Sequence, residues 1–204
     1  YVSVAGDSYL GEFKRGLFDG QGDYLASDGE AYAGMWRSGK RHGRGTQTDP
    51  SGAVYAGDFE ADFRQGQGVS TFPDGSTYKG AWQADQYKGQ GSFVTAKGDT
   101  YVGHFTDSLF DGHGTYTAVD GAKYTGAWLA GKRQGRGMQV YADQGVYTGA
   151  FNDDMPEGHG QYRGVDGSAY AGEWVSGKRR GKGLYDSAGG DRYIGGFIAD
   201  QFDG

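Results

Sequence analysis

A tyrosine recurs every 23 residues along this 204-residue chain. Each one begins the pattern Tyr-x-Gly-x-Phe/Trp, and the nine copies keep their spacing without an insertion: Tyr9, Tyr32, Tyr55, Tyr78, Tyr101, Tyr124, Tyr147, Tyr170 and Tyr193. Counted from the tyrosine as position 0, glycine fills +2 and +11 in every copy and +13 in every copy that reaches it. Such a period is typical of tandem-repeat proteins, in which each repeat packs on its neighbours.

Each repeat is predicted to be a β-hairpin. Side chains alternate across a strand with period two, so the residues at 0, +2 and +4 share one face. The glycine at +2 lets the two flanking aromatic rings lie over bare backbone. The opposite face carries small and charged residues, as at Ala33, Thr125, Glu173, Asp58 and Lys79. We therefore expect one packed face and one solvated face.

Turn residues separate the predicted strands. Asp-Gly pairs such as Asp28-Gly29 and Asp120-Gly121 fall between the return strand and the next tyrosine. Positive φ costs glycine little and is tolerated by aspartate, so these pairs predict tight turns. A second loop is expected between +5 and +11, and all such loops should line one edge of the array.

Glycine content excludes several protein classes. The 42 glycines are about a fifth of the chain, against a usual share of roughly 7%. The absence of a three-residue period argues against collagen, and 15% aromatic residues argue against disorder. A net charge of −6 does not favour nucleic-acid binding, and the lack of cysteine excludes a disulfide scaffold or a Cys-based zinc site.

One stretch imitates a phosphate-binding loop. Residues 172–178 have the spacing Gly-x-x-x-x-Gly-Lys, but Arg179 follows where that motif needs Ser or Thr for magnesium. The same near match occurs at 34–40 and 126–132. The repeat itself generates the pattern, so we do not expect a nucleotide site.

The fuller pattern Tyr-x-Gly-x-Trp-x-x-Gly-Lys-Arg-x-Gly-x-Gly occurs at 32–45, 124–137 and 170–183. It resembles the MORN (membrane occupation and recognition nexus) repeat. The resemblance implies an all-β fold, an elongated, single-layer, twisted antiparallel meander of tandem 23-residue hairpins. A chain of such repeats alone is most similar to the cytoskeletal MORN proteins of protists such as kinetoplastids and apicomplexans. Five repeats lack the glycine of the Gly-Lys pair of this pattern, so any role that the resemblance implies for its lysine does not extend to those repeats. The residues that stand in place of the glycine are Asp62, Asp85, Ser108, Asp154 and Asp200.

The predicted organisation is one continuous array over residues 1–204. It comprises a half repeat at 1–8, full repeats that start at 9, 32, 55, 78, 101, 124, 147 and 170, and a partial repeat at 193–204. Repeat arrays need capping repeats at their ends. Because the chain starts and stops inside repeats, we expect it to be a piece of a longer array.

A second period of two repeats is superimposed on the first. Position +4 alternates Phe and Trp throughout, and position +9 usually alternates arginine with an apolar residue, as at Phe18, Arg41, Phe110 and Arg133. Adjacent loops about 9 to 10 Å apart would let these side chains stack. One interpretation is that the alternation spreads like charges and preserves a two-repeat duplication. The other is that the apolar tips form a docking stripe for a partner or a second copy.

No catalytic, cofactor or metal site is expected within one chain, and the protein is predicted not to be an enzyme. Of the four histidines, His113 and His159 occupy the same repeat position two repeats apart, which separates them by about 19 Å. Zinc ligands lie about 2 Å from one shared ion. A metal site with ligands from two chains remains an alternative.

The leading functional hypothesis is a rod-like scaffold that organises a cytoskeletal or membrane-associated assembly. We expect it in the cytoplasm, bound to cytoskeletal proteins and at the inner face of a membrane. The resemblance implies an antiparallel homodimer through the C-terminal repeats. The candidate dimer contacts are Trp174, Tyr185, Tyr193, Phe197 and Phe202.

The alternative is a module that binds phosphoinositides or other anionic lipids through the basic loops, as the resemblance also implies. Each basic residue near an anionic surface contributes roughly 1 kcal/mol, and acidic loops between them would oppose binding. A solvated charged edge is the simpler interpretation, and a regulatory segment attached to an enzyme is a third idea. The candidate lipid contacts are Lys40, Arg41, Lys132, Arg133, Lys178, Arg179 and Arg180.

Overall fold

Each tyrosine-led repeat forms two antiparallel strands in a computed structural model that describes residues 1–203. Gly204, the last residue of the predicted partial repeat, lies outside the described residues. Within residues 1–203 there are eighteen strands in one open, single-layer sheet and no helix. The predicted all-β meander of hairpins is confirmed. No helix in the described chain is long and apolar enough to cross a membrane.

The chain falls into two compact units. The N-terminal unit is Tyr1–Gly98 with Phe105–Ser108, and the C-terminal unit is Asp99–His104 with Leu109–Gly204. The N-terminal unit contains β1 (Ser8–Lys14), β2 (Leu17–Leu25), β3 (Ala31–Arg37), β4 (Lys40–Thr48), β5 (Val54–Glu60), β6 (Phe63–Thr71), β7 (Thr77–Gln83) and β8 (Gln86–Val94). Strand β9 (Thr100–Thr106) contributes residues to both units. The C-terminal unit contains β10 (Leu109–Thr117), β11 (Lys123–Leu129), β12 (Lys132–Val140), β13 (Val146–Asn152), β14 (Met155–Arg163), β15 (Ala169–Val175), β16 (Lys178–Asp186), β17 (Arg192–Ile198) and β18 (Gln201–Asp203).

Each strand pairs with the next one along the chain within each unit. The Asp-Gly turns between repeats form as predicted. Gly121 has φ +89°, and the Asp120 carboxylate accepts a hydrogen bond of 2.9 Å from the Ala122 N–H. These turns fix the step from one hairpin to the next.

The predicted loop between +5 and +11 is wrong. The chain reverses in two residues at +6 and +7, as at Ala130-Gly131, where φ is +49° and +84°, and β12 already begins at Lys132. The remaining residues of the predicted loop belong to β12 and form a β-bulge there. Between the pairs Gly126–Gly137 and Trp128–Arg133, β11 has one residue and β12 has three. Gly135, at +11, has φ +67° in this bulge. The basic residues therefore lie in strands and not in loops.

Glycine allows the tyrosine rings to lie on the sheet. A Cβ on Gly137 would stand 2.5 Å from Tyr124 Cε2, and one on Gly126 would stand 2.5 Å from the Tyr124 hydroxyl oxygen. The hydroxyl donates a 2.9 Å hydrogen bond to the carbonyl oxygen of Ala127. The same bond, to the residue at +3, is made by the other eight repeat tyrosines. The predicted role of the +2 glycine is confirmed for the tyrosine, and the +13 glycine lies under the same ring.

The aromatic core is completed inside the single layer. Tyr124 is 1% exposed, and its ring meets Trp128 of its own repeat edge-on at 5.1 Å and Phe151 of the next repeat at 5.0 Å. Seven of the repeat tyrosines besides Tyr124 are equally buried: Tyr9, Tyr32, Tyr55, Tyr78, Tyr101, Tyr147 and Tyr170. Neighbouring repeats therefore cover the rings within the layer.

Candidate interaction surfaces

The residue at +9 fills a slot beside the tyrosine of its own repeat. In three repeats it is aromatic and the two rings stack with centroids 3.7 Å apart: Phe18 on Tyr9, Tyr87 on Tyr78 and Phe110 on Tyr101. In the partial last repeat the Phe202 ring is tilted against Tyr193. Trp36 of the following repeat covers Phe18 edge-on at 5.2 Å. Phe18, Tyr87 and Phe110 are thus half-buried against neighbouring rings, which weakens the docking-stripe interpretation of the two-repeat period, whereas Phe202 is exposed.

Arginine occupies the same slot in four repeats. The Arg133 guanidinium carbon lies 5.7 Å from the centre of the Tyr124 ring and 5.5 Å from that of Phe151. Its nitrogens donate to Asp154 Oδ1 at 3.2 Å, to the Asp154 carbonyl at 2.7 Å and to Gln139 Oε1 at 2.8 Å. The predicted stacking of arginine on the apolar residue of a neighbouring loop is wrong, because the arginine stacks on the tyrosine and Phe/Trp rings instead.

The aspartate partners were missed by the sequence analysis. Each pairs with the arginine 21 residues before it, and the main-chain N–H of that arginine also donates to the carboxylate. The sequence does carry a signal, since each +9 arginine is followed by aspartate 21 residues later, whereas Phe18 is followed by Gly39. The pairs are Arg41–Asp62 at 3.6 Å, Arg64–Asp85 at 3.0 Å, Arg133–Asp154 at 3.2 Å and Arg179–Asp200 at 3.2 Å.

The seven candidate lipid contacts therefore divide into two groups. Arg41, Arg133 and Arg179 are half-buried and their guanidinium groups bind aspartate and aromatic rings. The other four are exposed, and one of them, Lys132, forms an exposed ion pair with Asp153 at 3.0 Å. The exposed four are Lys40, Lys132, Lys178 and Arg180.

The five candidate dimer contacts also divide. Trp174 and Phe197 are buried in the aromatic core, and Trp174 Nε1 donates to the Gly160 carbonyl at 3.2 Å. Tyr185 and Tyr193 are half-buried. Phe202 is 58% exposed and lies 4.4 Å from Tyr193 between ring centres. Only the last three present surface to a partner.

The face opposite the rings carries an open groove in each unit. In the N-terminal unit a groove of about 690 Å³ runs from Gln21 to Lys79. In the C-terminal unit a groove of about 1020 Å³ runs from His113 to Gly172. The floor of each groove is formed by the glycines at +2 and +13. The tyrosine rings cover these glycines on the opposite face of the sheet, so their backbone is open on the groove side.

The two grooves differ in charge. In the N-terminal groove Arg44 pairs with Asp58 at 3.6 Å, and Asp23 adds a second carboxylate to the lining. In the C-terminal groove the lining contains His113, His159 and a single formally charged side chain, that of Arg136. Both histidines are exposed. Within the described chain, no three His, Asp or Glu side chains are grouped so as to hold a metal ion.

Comparisons with known proteins agree with this architecture. The MORN repeat family model matches residues 9–31, 32–54, 55–77, 78–100, 101–123, 124–146, 147–169 and 170–192. A search of the curated proteins found no significant match.

Two solved structures are similar in fold. The wild-type TCP10 domain of Danio rerio CPAP matches with a TM-score of 0.52 and 11% identity, over 95% of this chain and 91% of that chain. A single-residue mutant of that domain matches with a TM-score of 0.50 and 12% identity, over 95% of both chains. At these identities the likeness is one of fold alone. The eight consecutive matches to the family model show that this chain belongs to the MORN-repeat family.

Proposed function

We propose that this chain is a non-enzymatic scaffold that holds a protein assembly together and self-associates through its C-terminal repeats. The observation that carries the proposal is the complete aromatic core within one layer, as at Tyr124 and its neighbours. Because the rings are covered by the protein itself, the opposite face of each unit stays open to partners. Cytoplasmic, cytoskeleton-associated proteins at the inner face of a membrane are the partners we propose.

The non-enzymatic part of the proposal is supported by where the titratable groups lie. General acid–base catalysis needs converging groups that are partly removed from water. Here His113 and His159 are exposed in an open groove. The half-buried arginines are already paired with aspartate, as Arg133 is with Asp154.

Exposed apolar side chains support self-association. In β17, Ile194 is 76% exposed and Ile198 is 57% exposed. Their counterparts in internal repeats, Val102 at +1 and Leu129 at +5, are exposed as well, so exposure belongs to these repeat positions. Burying isolated aliphatic side chains of this size contributes about 1.5 to 3 kcal/mol each. They offer the last repeats an apolar contact surface on the face opposite the rings, and Phe202 adds exposed apolar surface on the ring face.

Sedimentation equilibrium over a range of protein concentrations tests the self-association. We expect the parent chain to dimerise and the double variant Ile194→Lys with Ile198→Lys to stay monomeric. Leu10→Lys is the matched control, because Leu10 occupies the same repeat position as Ile194 and is also exposed; it should leave the dimer intact. A parent chain that remains monomeric at the highest concentration overturns self-association.

Anionic-lipid binding is the alternative function, and it now rests on Lys40, Lys132, Lys178 and Arg180, which remain exposed. Co-sedimentation with phosphoinositide-containing vesicles tests it. Alanine at these four positions should abolish co-sedimentation, whereas Lys14→Ala, another exposed cation at a hairpin end, should not. Equal co-sedimentation of the parent and the fourfold variant dismisses the alternative.

A further inference from the structure

We infer that a cavity in the N-terminal unit, on the face that carries the tyrosine rings, binds the side-chain amide of a glutamine from a protein partner. The cavity has a volume of about 280 Å³ and lies among the repeats that begin at Tyr32 and Tyr55. Its unpaired hydrogen-bonding groups belong to Arg64 and Ser70. The inference rests on the proposed scaffold function, since it names one contact that a held partner makes.

The cavity forms where a serine replaces a larger side chain. Position +15 holds an aromatic ring or a glutamine in the other repeats, but it holds Ser70 in the repeat that begins at Tyr55. Ser70 lies between Tyr55 and Tyr78, with which it is paired on the two neighbouring strands. It lines the cavity and is 2% exposed, and its Oγ has no hydrogen-bond partner within residues 1–203. Leaving a buried polar group unpaired is unfavourable, so this hydroxyl favours a ligand that can form a hydrogen bond.

Arg64 brings further unpaired donors to the cavity. Its guanidinium carbon lies 5.7 Å from the centre of the Tyr55 ring and 4.7 Å from that of Trp82. Its Nε donates to Asp85 Oδ1 at 3.0 Å, but Nη1 and Nη2 make no hydrogen bond to the described part of the chain. In each of the other three +9 arginines, at least one of these two nitrogens is bonded. The guanidinium of Arg64 therefore lacks an acceptor at its outer end.

The chain itself shows which group satisfies such an arginine. Arg133 occupies the same repeat position as Arg64, and its guanidinium carbon also lies 5.7 Å from the tyrosine ring of its own repeat. Its Nη1 donates to Gln139 Oε1 at 2.8 Å. Gln139 stands at +15, six residues after the arginine, where the repeat of Arg64 has Ser70. An amide oxygen that enters the cavity from outside would complete the arrangement that Gln139 completes from within.

The lining favours a neutral amide over a carboxylate. Its charged residues balance, since they are Arg41, Arg64, Asp49 and Asp85. Arg41 is already bonded, because its Nη1 donates to Glu30 Oε1 at 2.8 Å. An incoming carboxylate would thus meet as many like charges as opposite ones. A primary amide has an oxygen that accepts from the guanidinium and an NH₂ group that donates to the aspartates, so it matches both kinds of group.

The size of the cavity suits one side chain. Pockets for small-molecule ligands usually have about 300 to 1000 Å³, and this cavity, at about 280 Å³, is below that range. Val54 and Phe72 contribute apolar surface to the lining, against which the methylene groups of a glutamine can pack. A side chain delivered by a polypeptide is also held by the contacts of its main chain, so a protein partner provides affinity that a free amide lacks.

Two substitutions test the fit of an amide within the chain. Ser70→Gln should raise the melting temperature by about 2 to 4 °C, since it supplies Arg64 with an amide oxygen and fills the cavity. Ser70→Glu is the matched control, because glutamate has the same shape but adds a charge, and it should raise the melting temperature less. Differential scanning calorimetry measures both. A Ser70→Gln variant that melts below the parent, or a Ser70→Glu variant that melts at or above Ser70→Gln, overturns the inference.

Binding from outside is tested by nitrogen-15 nuclear magnetic resonance on the full 204-residue chain. The probe is an acetylated alanine peptide with one central glutamine, and the control peptides have glutamate or alanine at that place. We expect a saturable shift of the Arg64 Nε–H signal, with binding of the glutamine peptide at least about fivefold tighter than that of either control. The Arg133 signal is the internal control and should not move, because Gln139 already accepts from its Nη1.

Reciprocal variants assign the site. Ser70→Gln should abolish the shift at Arg64, because the chain then supplies the amide. Gln139→Ser should create a saturable shift at Arg133, since it opens the corresponding position in the C-terminal unit. Far-ultraviolet circular dichroism confirms the fold of each variant.

The inference is overturned if no shift occurs at Arg64, if the three peptides bind equally, or if Ser70→Gln leaves binding unchanged. Propionamide, which reproduces the glutamine side chain alone, separates the two sources of an amide: if it binds and the glutamine peptide does not, a free amide is the occupant and the protein partner is ruled out. Sedimentation equilibrium on the same samples separates this inference from the proposed function, because a dimer without a shift at Arg64 removes the amide site alone.

Discussion

Arg133 and Asp154 lie 21 residues apart in sequence and join two consecutive repeats. Asp154 Oδ1 accepts hydrogen bonds from the Arg133 main-chain N–H at 2.9 Å and from its Nε at 3.2 Å. The guanidinium meanwhile rests on the Tyr124 and Phe151 rings. One aspartate thus holds the arginine that completes the aromatic core of the preceding repeat.

Removing the charge of Asp154 should measurably weaken the fold. Asparagine tolerates the positive φ of +70° at this position and keeps an oxygen for the Arg133 N–H. Asp154→Asn should therefore cost about 1 kcal/mol in the free energy of unfolding, the value of the charge-assisted part. Urea denaturation followed by circular dichroism measures it.

The neighbouring residue supplies the control for that measurement. Asp153 also has positive φ, at +47°, and pairs with Lys132 at 3.0 Å, but both side chains are exposed. Exposed pairs contribute about 0 to 1 kcal/mol, so Asp153→Asn should cost under about 0.5 kcal/mol. Equal losses in the two variants would mean that the aromatic contacts do not strengthen the Arg133–Asp154 pair.

The residue at position +9 and the residue at position +7 of the next repeat should be coupled in their effect on the free energy of unfolding. Phe18 is followed by Gly39, whose N–H donates to the Phe18 carbonyl at 2.8 Å. Arg133→Phe and Asp154→Gly together copy this arrangement, whereas each alone leaves a partner unmatched. A double-mutant cycle should give a coupling of at least about 1 kcal/mol. Additive losses would contradict the pairing.

Much of the fold can be predicted from the spacing of tyrosine and glycine. The period of 23 and the Asp-Gly turns predict hairpins correctly, because a ring over a Cβ-free backbone and a positive-φ turn are local requirements. Tyr124 over Gly126, and Gly121 in its turn, depend on residues close in sequence. The recurrence of these local rules nine times fixes the whole meander.

The surfaces were less predictable, because they depend on pairing between repeats. The bulge at Gly135 returns Lys132 and Arg133 to a strand and directs Arg133 onto the rings. A pattern of basic residues beside a turn does not reveal this. The 21-residue spacing of Arg133 and Asp154 becomes meaningful only when adjacent strands are known to bring them together.

The tyrosine–glycine contact predicts a sharp difference between two glycines. Gly137→Ala should cost about 3 kcal/mol, the upper end for overpacking, because its Cβ would stand 2.5 Å from Tyr124. Gly167 has φ +88° and nothing within 4 Å of a Cβ, so Gly167→Ala should cost about 1 to 2 kcal/mol through backbone strain alone. Only Gly137→Ala should alter the near-ultraviolet circular dichroism of the aromatic residues. An unchanged spectrum would argue that the ring does not lie on this glycine.

Alkaline pH should unfold the protein cooperatively. Burial raises the pKa of Tyr78, Tyr101 and Tyr124 to about 12, whereas tyrosine in an unfolded chain titrates near 10. Below pH 10 both states keep the phenol proton and the stability is unaffected. Between pH 10 and pH 12 the unfolded state releases protons that the folded state retains, so stability falls by about 1.4 kcal/mol per pH unit for each such tyrosine. Phenolate absorbance and the loss of far-ultraviolet circular dichroism should therefore rise together in that interval, and a simple tyrosine titration near pH 10 in a still-folded chain would mean that the rings are accessible to water.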